Sequence, residues 1–457
     1  MAQTRDEELG NAPIPSLVVK LALPAITAQI INLLYNIIDR VYIGHIPEAG
    51  DKALTGVGVT FPIILLISAF SQLVGAGGAP LAAISLGKGE RERAQKMLRT
   101  AFFSLLCISA ILTCVLQIIK HPVLMAFGAS EDTVGYGESY LFIYLWGTVF
   151  VQMSLGLNPF ITCQGRSGTA MLTVLIGAVL NIILDPVFIF VLGMGVRGAA
   201  LATVISQAAS AVWTVSFLRS DKSGIRLSFG KPYIDLALLG SICALGVSPF
   251  IMQFTECLIN VVFNSGLKKY GGDLYVGSMT IMQSVMQLLT VLSAGFNQGV
   301  QPIISFNYGA KKPERVRAAY RICFVTSISV MGILTCLVMT FPRAFGGIFT
   351  DEAALLDAVC EFMPMFVCGM TIFGIQNAAQ CAFVGLGQAK ISLFLACLRK
   401  VILLIPLALI LPRFMGVRGI YLAEPVSDIT SALTAGTLFL LNINKILQTD
   451  GGAKRRS

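Results

Sequence analysis

The chain has 457 residues, 55% of them hydrophobic and only 12% charged, with a net charge of +9. Soluble domains carry about 25% charged residues, so too little polar side chain is present to cover a water-facing surface of this size, which excludes a soluble enzyme and a nucleic-acid-binding protein together. A mean hydropathy of +0.79 places the chain in a membrane.

The N-terminal stretch MAQTRDEELGNAPIP is acidic and lacks a basic region followed by a short apolar core, so no cleaved signal peptide is expected. A helix needs about 20 mainly apolar residues to cross the bilayer. Twelve such runs follow, at 14–38, 53–80, 97–118, 134–157, 168–193 and 197–219, then at 236–263, 276–302, 319–341, 358–380, 391–412 and 418–443. Of the 33 Lys and Arg residues, 24 fall on the side of the N-terminus and every second connection. The positive-inside rule makes that side cytoplasmic, with both termini on it. The clearest basic connections hold Lys88, Arg91, Arg93, Lys96 and Arg99 after the second run, and Lys311, Lys312, Arg315, Arg317 and Arg321 after the eighth.

These two connections are equivalent members of an internal repeat. Met194 to Gln207 reads MGVRGAALATVISQ and Met415 to Asp428 reads MGVRGIYLAEPVSD, 8 identities in 14 at an offset of 221, where roughly one arises by chance. The expected fold is an all-α polytopic membrane protein of twelve transmembrane helices in two six-helix lobes. Residues 1–218 form the first lobe, 219–235 a cytoplasmic linker, and 236–457 the second lobe with a short cytoplasmic tail. Six is even, so both lobes enter the membrane in the same direction and the repeat is parallel.

Polar side chains inside the membrane are costly and mark cavities or partners. On the first run Asn32, Tyr35, Asn36 and Asp39 share one helical face. Displaced by the repeat, that face becomes Gln253, Glu256, Cys257 and Asn260. The fifth run adds Asn181 and Asp185, with Pro186 next, where loss of a backbone donor predicts a bend; the sixth adds Thr203, Ser206, Gln207 and Ser210, and the twelfth Glu424, Ser427, Asp428 and Ser431. Pro24 is a second expected bending point. The eleventh run has no acid opposite Asp185, which favours the first lobe as the ion-handling one. Asp39 and Asp185 repel each other in a dry lobe, so the pair can take up a proton and thereby alter helix packing. Plainer readings exist: Asp39, beside Arg40, as a solvated helix end; Asp185 as a satisfied buried group; Glu256 and Glu424 as interhelical hydrogen-bonding groups. On the eighth run Met279, Met282, Gln283, Met286 and Gln287 form one stripe. With Glu256 and Gln253 of the seventh run, and Asn32 and Asn36 of the first, it is a candidate substrate surface for bulky aromatic cations, or else ordinary packing.

The eleven cysteines show no CxxC or Cys/His ligand spacing, so no metal site is expected beyond Na+ at Asp39 and Asp185. No P-loop occurs, and the two histidines, His45 and His121, lie in connections. Catalysis and an organic cofactor are therefore not expected.

LALPAITAQIINLLYNIIDRVYIG, LNIILDPVFIF, MGVRGAALAT and the doubled six-helix plan together resemble the multidrug and toxic compound extrusion (MATE) family, nearest in pattern to Gram-positive-type bacterial multidrug export proteins. The resemblance runs from about residue 10 to 445. It implies a V-shaped pair of lobes in the bacterial cell membrane, exporting cationic drugs, dyes or toxins in exchange for H+ or Na+. Small molecules and membrane lipids, but no nucleic acid, would be the partners of a monomer. It also implies an ion site at Asp39, Asn181, Asp185 and Thr203, with Tyr35 alongside and Pro24 as the bend. A branch that uses second-lobe acids is matched at Glu256 but not on the tenth run, which carries Gln376, Asn377 and Gln380. The competing reading is a lipid-linked precursor flippase on the same repeat, which needs a basic cavity where this chain's mid-membrane charges read as acids.

Overall fold

The computed structural model describes residues 2–46, 50–228, 234–350 and 352–449, and every element among them is helical. The first half holds α1 (Ala2–Asn11), α2 (Ile14–Gly44), α3 (Gly50–Gly58), α4 (Phe61–Gly87), α5 (Arg91–Ala126), α6 (Glu131–Trp146), α7 (Thr148–Thr162), α8 (Ser167–Pro186) and α9 (Val196–Arg219). The second holds α10 (Leu236–Tyr270), α11 (Asp273–Gly309), α12 (Pro313–Thr340), α13 (Pro342–Gly346), α14 (Ala353–Val367), α15 (Met370–Gly385), α16 (Ala389–Cys397), α17 (Ile405–Ile410), α18 (Pro412–Met415) and α19 (Val417–Thr449). Lys231 of the linker and the tail 450–457 lie outside the described residues. Ten helical segments are long and apolar enough to cross a membrane, and two bent pairs bring the number to twelve among the described residues. The protein is an all-α polytopic membrane protein.

Two spans are bent where the sequence reading placed no bend. α6 and α7 meet at 61° and α14 and α15 at 46°, with Gly147 and Gly369 at the two breaks, one repeat apart. A Cβ on Gly147 would come within 2.4 Å of Val204, and one on Gly369 within 2.7 Å of Pro425. The missing side chains let α9 and α19 press against the breaks. Two π-helical turns, Val187–Val191 after α8 and Leu398–Leu404 after α16, occupy similar places in the halves. The first begins directly after Pro186, which leaves a carbonyl without its usual partner. α2 runs unbroken through Pro24.

The repeated MGVRG has a geometric cause. Gly195 and Gly416 sit at φ +54° and +58°, a backbone state that L side chains rarely adopt, and each turns the chain into the following helix. Three residues on, Gly198 and Gly419 lie against the backbones of Phe188 and Leu411, where a Cβ would be 2.7 and 2.5 Å away.

Packing shows how the halves meet. One apolar core joins both halves at the end carrying the N-terminus, running from Leu9 and Leu17 through Ala83 and Leu98 to Ile303, Ala319 and Phe383. At the opposite end the core divides. One cluster around Ile67, Leu141 and Ala200 belongs to the first half, and another around Phe263, Met282 and Tyr421 to the second. The lobes are therefore joined at the terminal end and separate at the other. Glycine makes the joint close, as at other membrane helix contacts. A Cβ on Gly87 would lie 2.0 Å from Phe306 O, and one on Gly309 would lie 2.1 Å from Ile84 O, a reciprocal contact between α4 and α11. Across this end lies α1. Asp6 pairs with Arg91 of the first half. Arg315 donates to Leu9 O and Ala12 O at 3.1 and 2.7 Å, Lys312 donates to Gly10 O at 2.7 Å, and Asn307 donates to Leu9 O at 3.0 Å, all from the second half.

Candidate functional site

In the first lobe α2, α8 and α9 converge on one acidic site. The four-residue spacing of Asn181 and Asp185 sets both on the inner face of α8, where they are 1% and 0% exposed. Asn181 Nδ2 lies 3.4 Å from Asp185 Oδ1 and 3.4 Å from Thr203 Oγ1, and Thr203 donates to Ala199 O at 3.0 Å. Asp39, arriving from α2, brings its carboxyl group against that of Asp185. The cation nearest in the chain is Arg40, which acts on Asp39 from outside the pair while its guanidinium lies 5.0 Å from the centre of the Phe61 ring. Three buried oxygens here have no hydrogen-bond donor among the described residues, namely Asp39 Oδ1, Asn181 Oδ1 and Asp185 Oδ2. These hard oxygens suit a proton or Na+.

A cavity of about 50 Å³ adjoins the site, bordered by Asn32, Tyr35, Asn158, Asn181, Thr203 and Gln207. Asn32, expected on the substrate side, thus belongs to the acidic site, while Asn36 turns back and donates to Asn32 O at 2.6 Å. The sequence reading missed Tyr140 and Tyr144 on α6, whose stacked rings lie 5.8 Å apart and close the site beside Asp39 and Tyr35. Their i, i+4 spacing was the available signal.

The second lobe differs from expectation. Arg399 and Lys400, given no role in the sequence reading of the eleventh run, are buried in the lobe, with side chains 8% and 4% exposed. Arg399 donates to Asp428 at 2.7 Å and to Glu424 at 3.1 Å, and its guanidinium lies 4.2 Å from the centre of the Phe373 ring. Lys400 pairs with the half-exposed Glu256. The mid-membrane charges are thus mixed, and of the two readings of Glu256 the structure displays the interhelical bond. In the methionine stripe two members take the ordinary-packing alternative. Met279 and Met282 are fully buried in the second-lobe core, because α14 covers that side of α11. Gln283, Met286, Gln287 and Gln253 stay at least partly exposed and do not line the cavity between the lobes.

That cavity measures about 290 Å³. The first half contributes Gln29 and Gln72, and the second contributes Asn297, Gln298, Gln301, Asn377 and Gln380. Gln29 Nε2 reaches Gln298 Oε1 at 3.1 Å, joining the lobes.

A two-lobed helical bundle with a chamber between its halves and a buried acidic site beside it is the architecture of a membrane transporter. The chain belongs to the MatE family, whose model matches residues 24–187 and 249–410, once in each half. It is 22% identical over 436 residues to the multidrug export protein MepA of Staphylococcus aureus (strain NCTC 8325 / PS 47), covering 94% of this chain and 95% of the relative. To MepA of Staphylococcus saprophyticus it is 24% identical over 416 residues, covering 91% of each. Among solved structures, MATE in its bent conformation superposes with a TM-score of 0.90 at 20% identity, covering 98% of this chain and 99% of the other. An outward-facing multidrug resistance MATE family transporter gives 0.88 at 20% identity, covering 96% and 98%. At this identity the structures bear on the fold alone.

Proposed function

We propose that this protein is a secondary active exporter of drug-sized molecules in a bacterial plasma membrane, driven by H+ or Na+ entry through alternating access. The observation that carries this reading is the Asp39–Asp185 pair, two carboxyl groups held against each other with the adjacent Arg40 as the one cation acting on Asp39 among the described residues, and bordered by oxygens that lack donors. An entering cation supplies the missing charge. On binding it removes the repulsion between α2 and α8 and so shifts the packing of the lobe. The basic connections assign the joined end to the cytoplasm, so this conformation opens outward. The driving force is sufficient, about 2.3 kcal/mol per charge for each 100 mV and about 1.4 kcal/mol for one pH unit.

The names of the MepA relatives favour drugs as cargo, and the cationic dyes implied by the sequence resemblance are natural first probes. A flippase for lipid-linked precursors fares worse. Its anionic head group would need unpaired cations, and Arg399 and Lys400 are already held by Glu256, Glu424 and Asp428.

The test is efflux of a mixed panel of charged and uncharged drugs from proteoliposomes, under an imposed pH gradient or an imposed Na+ gradient. At least one compound should move under one of the gradients, and Asp185→Asn should reduce that flux at least a hundredfold while the melting temperature in detergent holds. Undiminished flux through Asp185→Asn would remove the assignment of the coupling site.

A further inference from the structure

The chamber between the lobes is lined by amides and carries no Asp, Glu, Lys, Arg or His among the described residues that border it. Its polar groups are arranged for hydrogen bonding. Asn377 Nδ2 is fixed on Ser293 at 2.6 Å, and Gln380 Nε2 on Ser248 and Ser392 at 2.6 and 2.8 Å. The carbonyl oxygen of Gln380 is left buried with no donor among the described residues. Gln72 and Gln301 border the same space. Pro80, Pro159, Pro249 and Pro302 supply rigid apolar wall between these groups.

No acid nearby is free to serve the chamber. Glu256, four residues beyond the lining residue Met252, is occupied by Lys400. Glu424 and Asp428 are occupied by Arg399, and Asp39 and Asp185 face each other in the first lobe. A formal charge bound against this wall gives up the water on that side and finds no counter-charge there. An uncharged solute exchanges its hydrogen bonds to water for bonds to amides, which offer both donors and acceptors.

Resting on the export reading above, we propose that the central chamber takes an uncharged, drug-sized solute bearing several hydrogen-bonding groups, and that its export is electrogenic. Exchange of one neutral solute for one H+ or Na+ moves one net positive charge inward per cycle. The membrane potential then contributes fully to the solute gradient, about fiftyfold for each 100 mV. Exchange of a monovalent cation for one H+ would be indifferent to potential.

Proteoliposomes containing the full-length protein decide between these cases. Chloramphenicol and linezolid serve as uncharged probes and ethidium as the cation, each under a pH or Na+ gradient, with the potential clamped at zero or at 100 mV. The expected result is transport of an uncharged probe, with its limiting gradient raised about fiftyfold by 100 mV. Gln301→Glu and, separately, Gln72→Glu should weaken binding of that probe at least tenfold and strengthen binding of ethidium. Ethidium moving with a gradient that ignores potential, while neither uncharged probe moves, would overturn the inference and leave the export reading intact. No flux of any probe under either gradient would overturn the export reading and the inference with it.

Discussion

Asp185 and Arg399 are both charges taken out of water, and the chain handles them in opposite ways. Asp185 meets a second acid, and Arg399 meets two acids and an aromatic ring. The first arrangement, in the coupling proposed above, awaits an added cation, and the second is complete as it stands. Removing one member of a complete buried ion cluster costs about 3–5 kcal/mol, because the others are left unpaired. Arg399→Met should therefore lower the melting temperature in detergent markedly. Adding Glu424→Gln and Asp428→Asn to the same chain should recover most of the loss; failure to recover would mean that Arg399 matters through Phe373 and not through the acids. At this scale the first-lobe site was legible, because Tyr35, Asp39, Asn181, Asp185 and Thr203 fall at helical spacings on apolar runs; Asn32 shares that face but was expected on the substrate side. Arg399 and Lys400 were not, because their acidic partners lie about 25 to 144 positions away in the chain and nothing local announces them. The cue was there in outline: both lie well inside the apolar run 391–412.

Elements carry a second kind of information. Helix number, order and repeat follow from apolar runs, whereas the breaks at Gly147 and Gly369 depend on what Val204 and Pro425 do from another helix. Nothing local distinguishes these two glycines from the many others in the chain. α1 is a similar case: its sequence reads only as an acidic stretch ahead of the first apolar run, yet Leu9 is 1% exposed and the helix is tied to both halves. Cutting residues 2–12 removes these ties, and the joined end should open more often. Alkylation of Cys163, which is 3% exposed and borders the chamber, should then quicken at least tenfold, equivalent to about 1.4 kcal/mol of lost closure. An unchanged alkylation rate would mean that the helices close that end unaided.

For the whole molecule, the decisive geometry is the joint between lobes. Its reciprocal glycine contacts, Gly87 against Phe306 and Gly309 against Ile84, follow the same repeat that makes the halves alike. A side chain at either place meets a backbone carbonyl and cannot be relieved by rotating a neighbour. Gly309→Leu should therefore force the joined ends apart and abolish transport, measured as a longer distance between spectroscopic probes on α4 and α11. Gly168→Leu, which adds its Cβ where no atom lies within 4 Å, should leave that distance unchanged. The halves themselves were legible from MGVRG and the offset of 221. The contents of the chamber were not, since the stripe with the most suggestive chemistry, Met279 and Met282, was drawn into the second-lobe core by α14.

The glycine joint also determines where the membrane's electric field does its work. With the far ends of the lobes apart, solvent reaches inward between them, and the voltage drops mainly across the short dry stretch where α4 and α11 touch backbone to backbone. Under the coupling proposed above, a cation captured at Asp39 and Asp185, on the open side of that insulator, would arrive with little help from the voltage. The electrical work would be done afterwards, when the insulating layer is transferred to the other side of the loaded site.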